Sequence, residues 1–436
     1  MSAPLPKEAV AKGAWYTLAI LTLVYMFNSV DRSVMSIVIE PVKQEFGLSD
    51  SQLGLLTGLA FGLTYALVGV PMGLLVDRVN RRKLLSLMVF IWSGCTALCG
   101  LANNYAGLVV ARLAVGGAES AGAPTALSMI ADLFPKTRRS TAIGIFWTST
   151  ALGTAMSLML GGLVAAHWGW RTAFFIAGVP GILIAALLFF TVKEPVREKS
   201  TSSDPNAKAP SFFATLAYVV KTPVVRHAFL GISLNSIAMS GVPVWAASFL
   251  VRTQDFTLAQ AGLFAGLGVG IFGGIGSLLG GPAGDYLTRK LGVSALPLAP
   301  FTASFLALIS GLIFALSPSL LTVALGFIVF EIASRAHTAP AYALLLGGVE
   351  PRMRGVVVSS VQAVTNLVGY GVGPLIVGVV SDMVGGPLSL RIGVAAVMVF
   401  CLWSSMHFLA AWFASRKAER ANAAFDVAPL ATGASE

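Results

Sequence analysis

Gly73-Leu-Leu-Val-Asp77-Arg78-Val-Asn-Arg81-Arg82 closes one long apolar run, and Gly281-Pro-Ala-Gly-Asp285-Tyr-Leu-Thr-Arg289-Lys290 closes another, 208 residues later. The glycine, the acid and the two final cations coincide at that constant offset. The pattern implies a chain of two related halves, each carrying a polar loop after its second apolar run. Such runs fill most of the sequence. A membrane-spanning helix needs about 20 mostly apolar residues, and that length recurs throughout.

Composition agrees. The 436 residues are 56% hydrophobic and 11% charged, with a mean hydropathy of +0.82, whereas soluble domains carry roughly 25% charged residues. The net charge of +10 raises the question of nucleic acid. The cations, however, sit in short clusters between apolar runs, with no basic stripe and no interleaved aromatics, which excludes that partner. Cys95, Cys99 and Cys401 lie inside apolar runs without metal-ligand spacing and read as small packing residues. The polar stretch Met1 to Gly13 leads into a first spanning helix rather than a cleaved signal.

The periodicity predicts an all-α membrane protein of twelve helices, numbered 1 to 12, at about 15–40, 51–76, 83–102, 105–131, 141–166, 171–192, 225–251, 257–284, 293–316, 319–346, 354–381 and 387–414. Twelve spans put both termini on one side. With that side cytoplasmic, inner segments hold 22 of the 29 Lys and Arg, and outer loops hold Lys43, Arg171, Arg252 and Arg391. The positive-inside rule then fixes the orientation in an inner (plasma) membrane. The hydrophilic stretch 193–222 divides the spans six and six. The expected organisation is a bundle over 1–192, a cytoplasmic linker over 193–222, a second bundle over 223–416 and a tail over 417–436. Paired halves around a midplane site are a common transporter plan.

The loop between helices 2 and 3 resembles the G-x-x-x-D-R-x-G-R-R motif of the major facilitator superfamily, with Asn80 in place of the last glycine. Within it the chain looks like the spinster branch, on Asp31-Arg32, Phe46-Gly-Leu-Ser-Asp-Ser-Gln-Leu-Gly54, Arg112-Leu-Ala-Val-Gly-Gly-Ala-Glu119-Ser, Ile130-Ala-Asp-Leu-Phe134 and Trp170-Arg171-Thr-Ala-Phe. The order Gly-Ala-Glu-Ser departs from the expected Gly-Glu-Ala-Ser and moves the carboxylate by one position. The resemblance implies the two-bundle facilitator fold, alternating access, no cofactor beyond a proton gradient, and a lipid substrate such as a lysophospholipid or sphingosine 1-phosphate. It also implies that the inner loop, with Asp77, Arg78, Arg81, Arg82 and the partial counterpart Asp285, forms a charge network that holds the outward-open state. Cations are demanded there by topology in any case; Asp77 is not.

Ionisable groups in hydrocarbon cost about 2.5–3.5 kcal/mol each on insertion scales, so the few present are candidates: Asp31, Arg32, Arg112, Glu119, Glu331 and Arg335. Arg112 and Glu119 are close to two helical turns apart and share a face. At 1.5 Å per residue Arg112 lies about 10 Å below the outer end of helix 4, and Asp31 about 13 Å below that of helix 1. The expectation is a triad in which Asp31 and Glu119 contest Arg112, coupling protonation to conformation; a permanent ion pair between helices 1 and 4 is the alternative. Arg32 points about 100° from Asp31, free to hold a phosphate or carboxylate head group or to make a second structural pair. Asn235 and Asn366 are further polar cavity candidates. Glu331 and Arg335, four apart, form an intrahelical pair, and His337 is a packing residue or a proton carrier. Tyr65, Phe146 and Trp147 line an acyl-chain path or simply pack.

No Walker loop, clustered Cys/His metal site or nucleophile–His–acid set appears, so the chain is expected to be no enzyme and to hold no metal. The expected function is a monomeric proton-coupled transporter of a lysolipid-like or sphingolipid-like amphipath. The alternatives are drugs or small organic anions such as sugar acids and, from another class, a receptor or channel.

Overall fold

The structure, a computed structural model, describes residues 10–76, 78–196, 212–350 and 353–427. Every regular element is helical, with no strand among the described residues. In hydrocarbon each backbone N–H and C=O must be paired within its own segment, and a helix does this. Among the described residues eleven helices are long and apolar enough to cross a membrane. Helix 1 runs over Ala14–Ile37, helix 2 ends at Val76, helix 3 covers Arg81–Cys99, helix 5 Lys136–Trp168 and helix 6 Trp170–Thr191. Helix 7 is Pro223–Gln254, helix 9 Leu298–Leu316 and helix 12 Ser389–Val427, which carries part of the expected tail into the helix. The described part of the expected linker contains a further helix, Phe212–Lys221.

Helix 4, expected as one span, is two helices, Tyr105–Glu119 and Gly122–Leu133. Pro124 is the cause: it lacks the N–H that would bond the Ser120 carbonyl, and its ring crowds that carbonyl. Helix 10 breaks in the same way, into Leu320–Ala336 and Thr338–Gly347, with Pro340 four residues beyond Ala336. Three further helices contain a π-helical stretch: Leu55–Leu59 in helix 2, Gly268–Phe272 in helix 8 and Thr365–Val372 in helix 11. Such stretches often mark functional positions.

The internal repeat extends beyond the polar loops. Ser49 opens helix 2 with a reciprocal capping box to Gln52, and Thr257 opens helix 8 with the same box to Gln260, at the same offset of 208. Each box satisfies two otherwise orphaned N–H groups and sets where the helix begins.

Contacts gather the described residues into two compact units. One holds the chain up to 196 together with Pro243–Gly270; the other holds 212–242 and the chain from Ile271 onward. The C-terminal part of helix 7 and the start of helix 8 thus pack with the first half, across the boundary expected at 193–222. The cause is backbone contact between helices 5 and 8. A Cβ on Gly262 would stand 2.3 Å from the Leu158 carbonyl oxygen, and one on Gly162 would stand 2.9 Å from that of Leu258; small residues permit such approach in membranes. The core of the first unit includes Tyr25, Trp92, Met129 and Phe146. That of the second includes Val225, Leu345 and Phe408.

Candidate functional site

Asp31, Arg112 and Glu119 are all buried inside the first unit, at 0%, 1% and 1% exposure. Helix 4 carries the last two and lies against helix 2 through Gly116, where a Cβ would meet the Phe61 carbonyl oxygen at 2.4 Å. That approach brings the Phe61 ring under two guanidinium groups, Arg32 at 4.6 Å and Arg112 at 5.4 Å from its centroid. Cation–π contacts of this kind hold a desolvated cation without neutralising it.

The pairing differs from the expected triad. Glu119 is bound by Arg32: Nη2 and Nε donate to Oε2 at 3.0 and 3.3 Å. Arg112 forms no ion pair with either carboxylate among the described residues. It donates instead to backbone carbonyls of helix 1, Nη1 to Asp31 O at 3.3 Å and Nη2 to Arg32 O at 3.5 Å. Arg112 and Asp31 do lie at matching depth, but the Asp31 carboxylate turns to helix 3, where Ser93 Oγ donates to Oδ2 at 3.3 Å. The physical reason is reach. Glu119 sits about 10 Å along helix 4 from Arg112, and the long Arg32 side chain spans the gap from helix 1. Arg32 is therefore not an unoccupied head-group ligand in this conformation.

The site carries unspent polar capacity. Arg112 Nε is buried without a hydrogen bond, and the Asn28 side chain stands beside the Glu119 carboxyl. Arg32 keeps 21% of its side chain exposed while Glu119 has none. Aromatics adjoin: Phe61 contacts Tyr65, and Tyr25 packs with Phe146 and Trp147. Tyr65, Phe146 and Trp147 are the aromatics singled out as a candidate acyl path, and Trp147 remains 40% exposed.

In the second unit Asn235 does not stand free: its Nδ2 lies 3.1 Å from His337 Nδ1, which is 2.6 Å from the Ser334 carbonyl oxygen. Asn366 is buried within the π-helical stretch of helix 11. Glu331 and Arg335 approach to 3.8 Å. A cavity of about 160 Å³ is lined by His337, Tyr342, Gln362, Thr365 and Tyr370 among others.

At the inner loop Asp77 lies outside the described residues, and Arg78 and Asp285 are exposed. Arg81 is the buried member, ion-paired to both Asp132 and Glu194. The Arg82 backbone N–H donates to Glu194 Oε2 at 2.8 Å, and its guanidinium lies over Phe189. Two acids absent from the expected gate thus complete this network. At the other end of the first unit Arg252 donates to Glu40 at 2.7 Å and to both oxygens of Asp50 at 2.7 and 2.9 Å, and Lys43 also pairs with Asp50. Arg252 and Lys43 entered the sequence reading only as topology markers. Nearby, Glu45 accepts from Arg171 at 2.7 Å and from Trp170 Nε1 at 2.6 Å. The Arg171 guanidinium holds its carboxyl below the usual carboxylate range, with Trp170 adding to the effect. Among the described residues no three His, Cys, Asp or Glu side chains converge on a metal position.

The comparisons with known proteins fit this architecture. The profile of the Major Facilitator Superfamily matches residues 21–374. An MFS-type efflux pump of Mycolicibacterium smegmatis is 28% identical over 93% of this chain and 94% of its own length. Protein spinster of Drosophila melanogaster is 25% identical over 87% of this chain and 64% of its own length. A probable L-galactonate transporter of Escherichia coli is 26% identical over 68% of this chain; the chain spans about two thirds of the sugar-acid transporters it matches, here 66%. Among solved structures, a bacterial homologue of the human lysosomal transporter Spinster, inward-facing and unoccupied, superposes with a TM-score of 0.79 at 28% identity, over 92% of this chain and 97% of that one. An all-helical multi-pass architecture with an internal repeat, matched to that profile over most of its length, leaves one conclusion: this chain belongs to the major facilitator superfamily and is a membrane transporter, not an enzyme.

Proposed function

We propose that this protein is a proton-coupled transporter of an amphipathic, anionic molecule of the lysolipid or sphingolipid type, with twelve spans and both termini on the cytoplasmic side of an inner membrane. The observation that carries the reading is the Arg32–Glu119 pair. It places one partly exposed cation on one fully buried acid, beside an aromatic wall. A phosphate or carboxylate arriving at Arg32 competes with Glu119 for the same guanidinium face. A carboxylate stripped of its cation in a dry pocket takes up a proton, because an unpaired buried charge costs several kcal/mol. Anion binding at Arg32 and proton binding at Glu119 therefore favour each other, and by linkage the effect is reciprocal. Asp31, buried on helix 1 beside Arg112, supplies a second acid. The aromatics Phe61 and Tyr65 suit the apolar part of such a substrate.

A second reading has its own support. The match to an efflux pump over nearly the full length of both chains, and to sugar-acid transporters over two thirds of theirs, favours amphipathic drugs or small organic anions. The same Arg32 would take the anionic group. The two readings separate in proteoliposomes with an imposed pH gradient. Gradient-driven flux of a fluorescent lysophospholipid, absent in Glu119→Gln, supports the first. Flux of a sugar acid or a cationic dye with no lysolipid movement supports the second. No gradient-dependent flux of any of them overturns proton coupling.

A further inference from the structure

The second unit contains an acid that the Arg32–Glu119 site does not use. Glu331 on helix 10 is 0% exposed, and both of its carboxyl oxygens are buried with no hydrogen-bond partner. Its one ionic neighbour, Arg335 Nε, stands 3.8 Å away, beyond hydrogen-bond distance, and that nitrogen is itself buried and unpartnered. A carboxylate held by this ion pair alone, with no hydrogen bond, recovers little of the cost of its burial in a low-dielectric interior.

The surroundings offer nothing else to neutralise it. Among the described residues Arg335 is the one charged side chain paired with Glu331. Helix 9, Leu298–Leu316, packs on helix 10 and carries no ionisable residue. Helix 8 presents Gly273, whose Cβ would lie 3.4 Å from Glu331 Oε2 and 3.6 Å from Arg335 Nε; its first acid, Asp285, lies roughly 18 Å further along. The second segment of helix 10, Thr338–Gly347, contributes Tyr342, which bonds Gln362. His337, at the break, faces Asn235 and Ser334.

The repeat gives this acid a context. Helices 4 and 10 occupy equivalent places in the two halves, and each breaks within one turn or so ahead of a proline, Pro124 and Pro340. Five residues before each proline stands a charge, Glu119 in one half and Arg335 in the other. Glu119 finds its cation on helix 1. Arg335 finds its acid one turn back on its own helix.

We propose that Glu331 is a second proton-binding site, protonated in this conformation and exchanging its proton for a direct bond to Arg335. In the protonated state the pair stays apart at the observed distance. On loss of the proton to water the carboxylate closes on the guanidinium, which side chains at i and i+4 reach by rotamer change alone, into the space kept open by Gly273. The proposal adds a proton to the cycle proposed above and stands apart from the Arg32–Glu119 exchange.

Infrared difference spectroscopy of the full-length protein in nanodiscs tests it. At neutral pH the wild type should show a buried protonated-carboxyl C=O band that is missing from Glu331→Gln and displaced in frequency in Glu331→Asp; Arg335→Gln should retain it to higher pH than the wild type. A wild-type spectrum whose protonated-carboxyl region is unchanged by all three substitutions at every pH overturns the proposal. In proteoliposomes the protons moved per substrate should fall by one in Glu331→Gln. If Glu119→Gln leaves coupling intact, the first-half exchange fails, and the infrared result still decides Glu331.

Discussion

Arg32 spends two donors on a single oxygen of Glu119, 3.0 Å from Nη2 and 3.3 Å from Nε. A fork aimed at one oxygen is a weaker clasp than the two parallel bonds an arginine can make to a carboxylate. It suits a cation that must let go.

Removing Arg32 strands Glu119. Arg32→Ala should destabilise by about 3–5 kcal/mol, the usual cost of breaking a buried pair from one side. Arg32→Ala combined with Glu119→Gln should recover part of that loss, because the orphaned charge goes with its partner. Thermal unfolding of the three detergent-solubilised variants checks this; a double variant no more stable than Arg32→Ala would show that the pair is not what the arginine supports.

Arg252 ties the C-terminal end of helix 7 to Glu40 and Asp50. Arg252→Ala removes the tie from helix 7 to both acids, and the segment 243–270 should loosen from the first unit. A Thr253→Cys probe should then react several-fold faster with a membrane-impermeant maleimide. Equal rates with and without Arg252 would mean the glycine contact between helices 5 and 8 suffices to hold the segment.

That glycine contact has its own test. Gly262→Val places a side chain where a Cβ already stands 2.3 Å from the Leu158 carbonyl oxygen; because the obstacle is backbone, the helices must separate. Transport should fall at least tenfold with the protein still inserted. Retained transport would show that helix 8 can shift without consequence.

Glu45 provides a pH prediction outside the membrane segments. Its carboxyl is held below its ordinary value of 4.5 by Arg171 and Trp170. A depressed acid stabilises the fold above the unfolded value and loses that contribution as pH falls through the folded one. The wild type should exceed Glu45→Gln in melting temperature at pH 7, and the gap should close as pH falls through the depressed Glu45 value. The gap is small, since an exposed pair contributes about 0–1 kcal/mol. A gap that persists at low pH would point to packing instead.

Much of the fold was legible because membrane helices announce themselves by length, and because Asp77 and Asp285 sit at a fixed offset. More was available than the reading took. Ser49-x-x-Gln52 and Thr257-x-x-Gln260 repeat at that offset, and the Ala-Pro steps at Pro124 and Pro340 mark both helix breaks. The site was less legible for a reason of geometry. Angles around a helix axis place Cβ atoms, and they set Arg32 aside from Asp31 correctly, but an arginine reaches several ångströms beyond its Cβ. Arg32 therefore takes Glu119 while Arg112 turns to backbone carbonyls of helix 1. Arg252, Asp132 and Glu194 were missed for a related reason: charges at helix ends satisfy the topology rule by their presence, which hides their partners.

Proton uptake on substrate binding tests the central claim most directly. In weakly buffered detergent solution with a pH indicator, adding a lysophospholipid with an anionic head group should draw protons from solution in the wild type, and the uptake should be lost in Glu119→Gln and in Arg32→Ala. Binding with no proton uptake in the wild type, or equal uptake in Glu119→Gln, would contradict an exchange of anion for carboxylate at Arg32.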